Sequence, residues 1–217
     1  MIRQFKFGQN RSEHVLTLSF FLSGFAALIY QLCWNRALYA AVGVDMDSVT
    51  IIVSCFMLGI GIGGALGGWL SDRYPVHKVK LYALTEVALC LYGLISIAII
   101  GAVTNWTLLP GTLGLSITIF VVFLVLLIPT VLMGMTLPII SLVFQEKTGN
   151  MGSAVGKLYF ANTLGAAAGA YTVPHYLFQT LDLQQTCYLA AAINASVACM
   201  VLLELKYKGA VSQAAAS

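Results

Sequence analysis

Long apolar runs separated by short polar breaks dominate the sequence. A helix that spans a bilayer needs about 20 consecutive apolar residues, and none of the runs shows the short alternating segments of a membrane β-barrel. The pattern therefore predicts six membrane-spanning helices joined by polar or turn-forming residues. The runs cover approximately residues 15–42, 48–71, 79–103, 112–144, 155–178 and 185–205. The fourth run is longer than a bilayer requires and contains Pro129 and Pro138, which predicts a tilted or kinked helix, with a re-entrant break as the alternative.

Composition supports an all-α integral membrane protein. Of the 217 residues, 59% are hydrophobic and only 9% are charged, whereas charged residues make up about a quarter of a soluble domain. An ordinary soluble enzyme, a secreted disulfide scaffold and a disordered tail are therefore excluded. The net charge of +3 is no evidence for a nucleic-acid partner, because in a membrane protein basic residues report topology first. The expected partner is the lipid bilayer.

The basic residues predict the orientation. Ten of the eleven Lys and Arg residues fall on one side of the six predicted spans, and Asp45, Asp47 and Asp182 fall on the other. By the positive-inside rule, both termini are expected on the cytoplasmic side of the inner membrane. The expected organisation is a cytoplasmic N-terminal segment at 1–14, a six-helix membrane domain at 15–205 and a cytoplasmic tail at 206–217.

Glycines recur at helical spacing in the second and fifth runs. Gly59, Gly63 and Gly67 lie four residues apart in the second run, as do Gly165 and Gly169 in the fifth. Small residues at this spacing allow close packing of membrane helices, and plain packing is one interpretation. The matching places of the two runs also predict two three-helix repeats of opposite orientation, as in many transporter folds.

The segment after the second run resembles a signature loop of the major facilitator superfamily. It reads G-W-L-S-D-R-Y-P-V-H-K from Gly68 to Lys78, whereas the family pattern is G-x-L-A-D-R-x-G-R-R. The resemblance implies that Asp72 and Arg73 belong to a cytoplasmic charge cluster that steadies one conformation of the bundle. Taken without the family, the same stretch is a solvated basic turn.

Four segments taken together resemble the membrane domain of the fused major-facilitator/spermidine-synthase-like proteins. These are FLSGFAALIYQLCWNRAL, SCFMLGIGIGGALGGWLSDR, IPTVLMGMTLPII and GKLYFANTLGAAAGA. The resemblance implies half of a major facilitator and a connection with polyamines. In that family a Rossmann-like aminopropyltransferase domain typically follows the membrane part. We find no strand with a glycine-rich turn and acidic residue that would hold its nucleoside, so we do not expect this activity or a cofactor.

Ionisable residues within membrane spans are costly and usually functional. Glu86 lies about two turns from the cytoplasmic end of the third run, and Arg36 about two turns from the outer end of the first. Glu86 is the better candidate, since a carboxylate can titrate during transport or bind a cation; an interhelical hydrogen bond is the alternative. Arg36 either binds an anionic group or snorkels to the outer surface.

Two polar and aromatic groups accompany these charges. On the first helix, Tyr30 and Trp34 share a face and Gln31 and Asn35 form the adjacent polar pair. Such a strip on an apolar helix predicts a cavity wall, and rings together with a carboxylate suit a cationic ligand. Tyr159 and Asn162 form a similar group at the start of the fifth run. The alternatives are an interfacial aromatic belt or polar contacts between helices.

The sequence therefore predicts a protein that binds or transports a small cationic or amine-containing molecule. Six helices enclose only part of a transport path, so a homodimer or a separately encoded, synthase-like partner chain is implied. The main alternative is a membrane anchor or scaffold for a soluble enzyme. A membrane enzyme ranks lowest, because no catalytic constellation and no metal-ligand spacing is present.

Overall fold

The computed structural model describes residues 2–42, 46–107 and 114–214, and the side chains of 12–40, 49–106, 117–146 and 149–207. The described residues are helical throughout, apart from short turns. The long helices are α1 (Ile2–Val42), α2 (Met46–Arg73), α3 (Lys78–Thr107), α4 (Gly114–Thr148), α5 (Met151–Thr172) and α7 (Leu183–Ala214). A 3-10 turn, Pro75–His77, precedes α3, and a π turn, Val173–Leu177, joins α5 to the short helix α6 (Phe178–Thr180).

Five helices in the described part are long and apolar enough to cross a membrane, as is typical of a membrane protein. The candidate spans are Ser12–Ala40, Val49–Arg73, Pro75–Trp106, Ile117–Glu146 and Leu183–Tyr207. The fifth predicted run forms α5, which has 22 residues but is not among the five. Its many Gly, Ala, Asn and Thr residues leave α5 less apolar than the five candidate spans.

Two helices extend beyond the apolar runs that predicted them. α1 begins at Ile2 rather than near residue 15, and α7 continues to Ala214 rather than ending near 205. Arg, Lys, Gln and Glu are good helix formers, so a helix continues where its sequence becomes polar. The fourth run forms one continuous helix through Pro129 and Pro138, without the re-entrant break that was the alternative.

Proline and glycine shape the ends of α5. Gly149 has φ of 68°, a left-handed conformation that glycine adopts without steric cost, and its N–H caps α4 by donating to the carbonyl of Gln145. Asn150 then caps α5 by accepting from the N–H of Ser153 at 3.1 Å. Pro174 has no N–H to donate and lies within the π turn that ends the helix.

Helix contacts form a ring. α4 packs on α3, α3 packs on α7, α7 packs on α1, and α1 packs on α5. α5 in turn contacts α4 and closes the ring, while α2 lies outside it and packs against α4. α2 runs parallel to α4, and α5 runs parallel to α1. Gly59, Gly63 and Gly67 face Thr130, Val131 and Met135 of α4, and Gly165 and Gly169 face Phe21 and Phe25 of α1. Both close contacts therefore rely on glycine.

Two apolar clusters fill the bundle. We call the end with the α2–α3 and α4–α5 junctions the basic end, since Arg73, Lys78, Lys80 and Lys157 lie there. The basic-end core includes Phe20, Tyr82, Ile140, Phe144 and Leu158. The distal core, farther from this end, includes Ile29, Tyr30, Trp34, Phe56 and Leu126.

Candidate functional site

A buried carboxylate lies between the two cores. Glu86 of α3 is completely buried, and the Ser23 hydroxyl of α1 donates to its Oε1 at 2.7 Å. Its other oxygen, Oε2, has no hydrogen-bond partner among the described residues. Buried polar atoms nearly always have a partner, and the donor group that lies beside this carboxylate, besides Ser23, is the hydroxyl of Tyr82.

Tyr82 lies one helical turn before Glu86, and its hydroxyl neighbours the side chains of Ser23 and Glu86. Tyr82 is also completely buried, and its hydroxyl makes no hydrogen bond of normal geometry within the described structure. A second buried polar atom therefore lies beside the carboxylate and interacts with Glu86 and Ser23. Since both atoms lie on successive turns of α3, one ligand group can contact both.

Asn194 of α7 lies at the same level of the bundle. The Gln184 Nε2 donates to the carbonyl of Leu94 at 3.2 Å, and α3 and α7 are antiparallel. This hydrogen bond sets the relative height of the two helices. Since both rise equally per residue, Glu86, eight residues before Leu94, is level with the residue eight positions after Gln184, within one turn of Asn194. The hydrogen bond from Ser12 of α1 to Glu204 of α7 sets the relative height of these two helices in the same way. It places Ser23 level with the same part of α7. Asn194 is 1% exposed, and its Oδ1 is unpartnered in the described structure.

We call Ser23, Tyr82, Glu86 and Asn194 the polar layer. Asn162 of α5 lies at this level on the other side of α1, where its Nδ2 donates to the carbonyl of Phe20 at 3.3 Å. Tyr159, one turn earlier, is 62% exposed and does not face the layer. Of the residues predicted from sequence, the structure brings Glu86 into the layer and Asn162 close to it, and leaves Tyr159 outside.

The aromatic strip of α1 forms part of the distal core. Tyr30 and Trp34 are completely buried and stack with their ring centroids 5.4 Å apart. Trp34 also contacts Phe56 of α2 and Tyr92 of α3, at centroid distances of 6.0 and 6.2 Å. In this conformation both rings are enclosed by protein and present no surface to a ligand.

Arg36, Gln31 and Asn35 form a third group, farther from Glu86. Gln31 and Asn35 are half-buried, and Arg36 is exposed, with its guanidinium 4.7 Å from the centroid of the Phe178 ring. A guanidinium over an aromatic face is a favourable cation–π contact. The geometry gives Arg36 a contact within the chain and keeps it apart from the polar layer.

Asp72 and Arg73 are exposed at the end of α2. At this end of the bundle, Lys78 of α3 forms an ion pair with Glu146 of α4 at 2.7 Å, and Lys157 of α5 lies 4.0 Å from Glu13 of α1. Interhelical charge contacts are therefore present at the basic end, and they involve residues other than the predicted pair.

The sequence interpretation missed Ser23, Tyr82, Asn194 and the bond from Ser12 to Glu204. Serine, tyrosine and asparagine are ordinary in membrane helices, so only Glu204 carried a usable signal, as an acid near the end of an apolar run. Within the described side chains, no three His, Cys, Asp or Glu residues lie close enough to share a metal ion. The chemistry of the polar layer is that of hydroxyl, amide and carboxylate oxygens.

The chain is similar to one curated protein, Polyamine aminopropyltransferase 1 of Streptomyces coelicolor. The two are 22% identical over 193 residues, which are 88% of this chain and 34% of that protein. The chain thus spans about a third of the length of this relative. No family model matches the sequence, and no solved structure is significantly similar to it. The similarity connects this membrane-type chain with a polyamine-related protein.

Proposed function

We propose that this chain is a membrane module that binds or transports a polyamine-class cation. It would act together with an aminopropyltransferase, either as a further domain or as a separate chain. The observation that carries the proposal is the unpartnered, buried Oε2 of Glu86 in a chain similar to a polyamine aminopropyltransferase.

The polar layer has the chemistry to hold one primary ammonium group. An ammonium group has three donors and no acceptor, and the layer offers the Glu86 carboxylate, the Tyr82 hydroxyl and the Asn194 carbonyl oxygen as acceptors. A buried carboxylate attracts a cation strongly because the local dielectric is low. The layer is enclosed in this conformation, so a ligand would enter when α1 and α3 separate from α7.

The packing of the helices supports a six-span, inverted-repeat architecture. α5 has 22 residues, a length of about 33 Å that matches a hydrocarbon core of about 30 Å, and we propose it as the sixth span. If α1, α2 and α3 correspond in this order to α4, α5 and α7, the contact between α2 and α4 corresponds to the contact between α5 and α1. In the same correspondence, the contact between α3 and α4 matches the contact between α7 and α1. We propose that the two sets are repeats of opposite orientation, resembling half of a major facilitator.

A half-facilitator would need a second half to complete a transport path. We propose a second copy or a separately encoded chain for this role, with Asp72 and Arg73 available at the basic end to contact it or to steady one conformation. The less apolar α5, with exposed Tyr159, Thr163 and Lys157, suits contact with protein better than contact with lipid.

Reporter fusions test the proposed inner-membrane topology. We expect alkaline phosphatase fused after Asp182 to be active, and the same enzyme fused after Ala214 to be inactive, because the basic end faces the cytoplasm. Green fluorescent protein fused after Ala214 should fluoresce. Activity of the phosphatase fused after Ala214 would contradict the orientation, and inactivity after Asp182 would contradict α5 as a span.

Binding of tritiated spermidine to the protein in nanodiscs tests the function. We expect saturable binding that Glu86→Gln weakens about 30-fold or more, since removing one partner of a buried charge pair costs several kcal/mol. The amide still accepts from Ser23, so the fold should persist. Glu146→Gln, which alters an exposed glutamate, is the matched control and should bind like the original protein.

The scaffold function remains the second candidate, because the aromatic strip is packed into the core rather than lining a cavity. Absence of saturable spermidine binding, or equal binding by Glu86→Gln and the original protein, would refute the binding proposal. Co-purification with an aminopropyltransferase without spermidine binding would favour the scaffold.

A further inference from the structure

A shallow groove lies at the basic end, where the 3-10 turn meets α3. It has a volume of about 380 Å³ and is lined by Tyr74, His77, Lys80, Leu81 and Leu84. The lining residues are one lysine, one histidine, one tyrosine and two leucines. Nearly all of the surface that these residues turn toward the groove is apolar, and Tyr74, His77 and Lys80 are themselves exposed.

The lysine in the groove is available to a ligand. Lys80 is exposed and forms no ion pair with the described side chains. Its neighbour Lys78 differs, since its ammonium is held by Glu146 of α4 at 2.7 Å. Arg73 is exposed just before the turn. Lys80 is therefore a cationic residue beside the groove that no ion pair neutralises within the described structure, whereas the charge of Arg73 is offset by the exposed Asp72 next to it.

The groove continues along an exposed stripe on α3. Leu84 is 63% exposed, and Val87, Leu91 and Ile95 follow it at 38%, 59% and 53%. These residues recur every three or four positions, so they lie on one face of the helix. The stripe begins at the groove and extends into the apolar span Pro75–Trp106, as the acyl chain of a bilayer lipid would.

We propose that this groove binds an anionic phospholipid. The headgroup phosphate would contact the Lys80 ammonium, with the His77 ring and the Tyr74 hydroxyl as further donors, and one acyl chain would lie along the stripe from Leu84. Basic pockets at the ends of membrane helices attract anionic headgroups. The groove is too small for a helix of a partner protein, whose diameter is about 10–12 Å. Lys80 is positively charged and would repel a polyamine, which is itself a cation.

Native mass spectrometry of the purified, delipidated protein tests this site. We expect dioleoylphosphatidylglycerol to be retained preferentially over dioleoylphosphatidylcholine, and Lys80→Gln to reduce this preference about fivefold. The matched control is Lys206→Gln, which removes an exposed lysine from α7 at the same end and should leave the preference unchanged. Circular dichroism should show the same helix content in all three proteins, because both lysines are exposed.

Three results would overturn the proposal. The first is equal retention of the two lipids by the original protein. The second is an equal loss in Lys206→Gln, which would show that general surface charge attracts the lipid. The third is displacement of the lipid by glycerol 3-phosphate at the same concentration, which would show that the groove binds free phosphate and that the stripe on α3 contributes nothing.

Discussion

Replacing Gly63 by alanine should lower the free energy of unfolding by about 1–3 kcal/mol, the usual cost of overpacking. A Cβ at Gly63 would collide with the backbone of α4, where it meets the carbonyl oxygen of Val131 and lies 2.8 Å from the Cα of Gly134. Backbone atoms cannot rotate away, so α2 and α4 would have to separate. Close packing at small residues is one of the interactions that hold helices together where lipid supplies no hydrophobic drive between them.

The neighbouring Gly64 provides the matched control. An added Cβ there meets nothing within 4 Å, and alanine is favoured over glycine in a helix interior by about 0.5–1 kcal/mol. Gly64→Ala should therefore leave stability unchanged or raise it slightly. Unfolding of both variants by sodium dodecyl sulfate, followed by circular dichroism, would measure the difference. Equal stability of the two variants would contradict the close contact between α2 and α4.

Replacing Trp34 by alanine should lower the free energy of unfolding by about 3 kcal/mol, the typical cost of a large cavity in a core. Trp34 is completely buried and contacts Tyr30, Phe56 and Tyr92, so its removal leaves a cavity beside three aromatic rings. The unfolded helices remain in a lipid or detergent environment, so the loss comes from packing rather than from transfer to water.

Trp69→Ala is the control for this effect, since Trp69 on α2 is 61% exposed and should contribute little to the core. Thermal unfolding followed by circular dichroism would compare the two variants under the same conditions. If Trp34→Ala melted like the original protein but bound spermidine more weakly, the strip would line a ligand cavity, as its sequence pattern predicted, in a conformation other than this one.

Only part of the candidate site could be predicted from the sequence. Glu86 stands out because a carboxylate is rare in an apolar run, and its energetic cost there makes it a functional candidate. Asn194 could not be predicted, because only the packed bundle shows that it lies at the level of Glu86. Ser23 could not be predicted, because its role depends on its contact with Glu86 across the bundle. That contact joins residues 63 positions apart in the chain, and no local pattern encodes it.

The aromatic strip shows that helical periodicity alone does not distinguish a cavity wall from a packed core. The i, i+4 spacing of Tyr30 and Trp34 predicted a shared face, and their rings do stack. The same spacing is compatible with a cavity wall and with a core. Phe56 and Tyr92, contributed by α2 and α3, enclose Trp34 and make it part of the core.

The sequence by itself determined an all-helical chain with several apolar helices of membrane-spanning length, because unbroken apolar runs allow no other way to satisfy the backbone in lipid. Only the tertiary structure decided which glycines of α2 are packed. Gly59, Gly63 and Gly67 contact α4, whereas the equally spaced Gly64 and Gly68 face open space. Both sets permit close approach, and the choice between them depends on the shape of α4, which the local sequence of α2 does not contain.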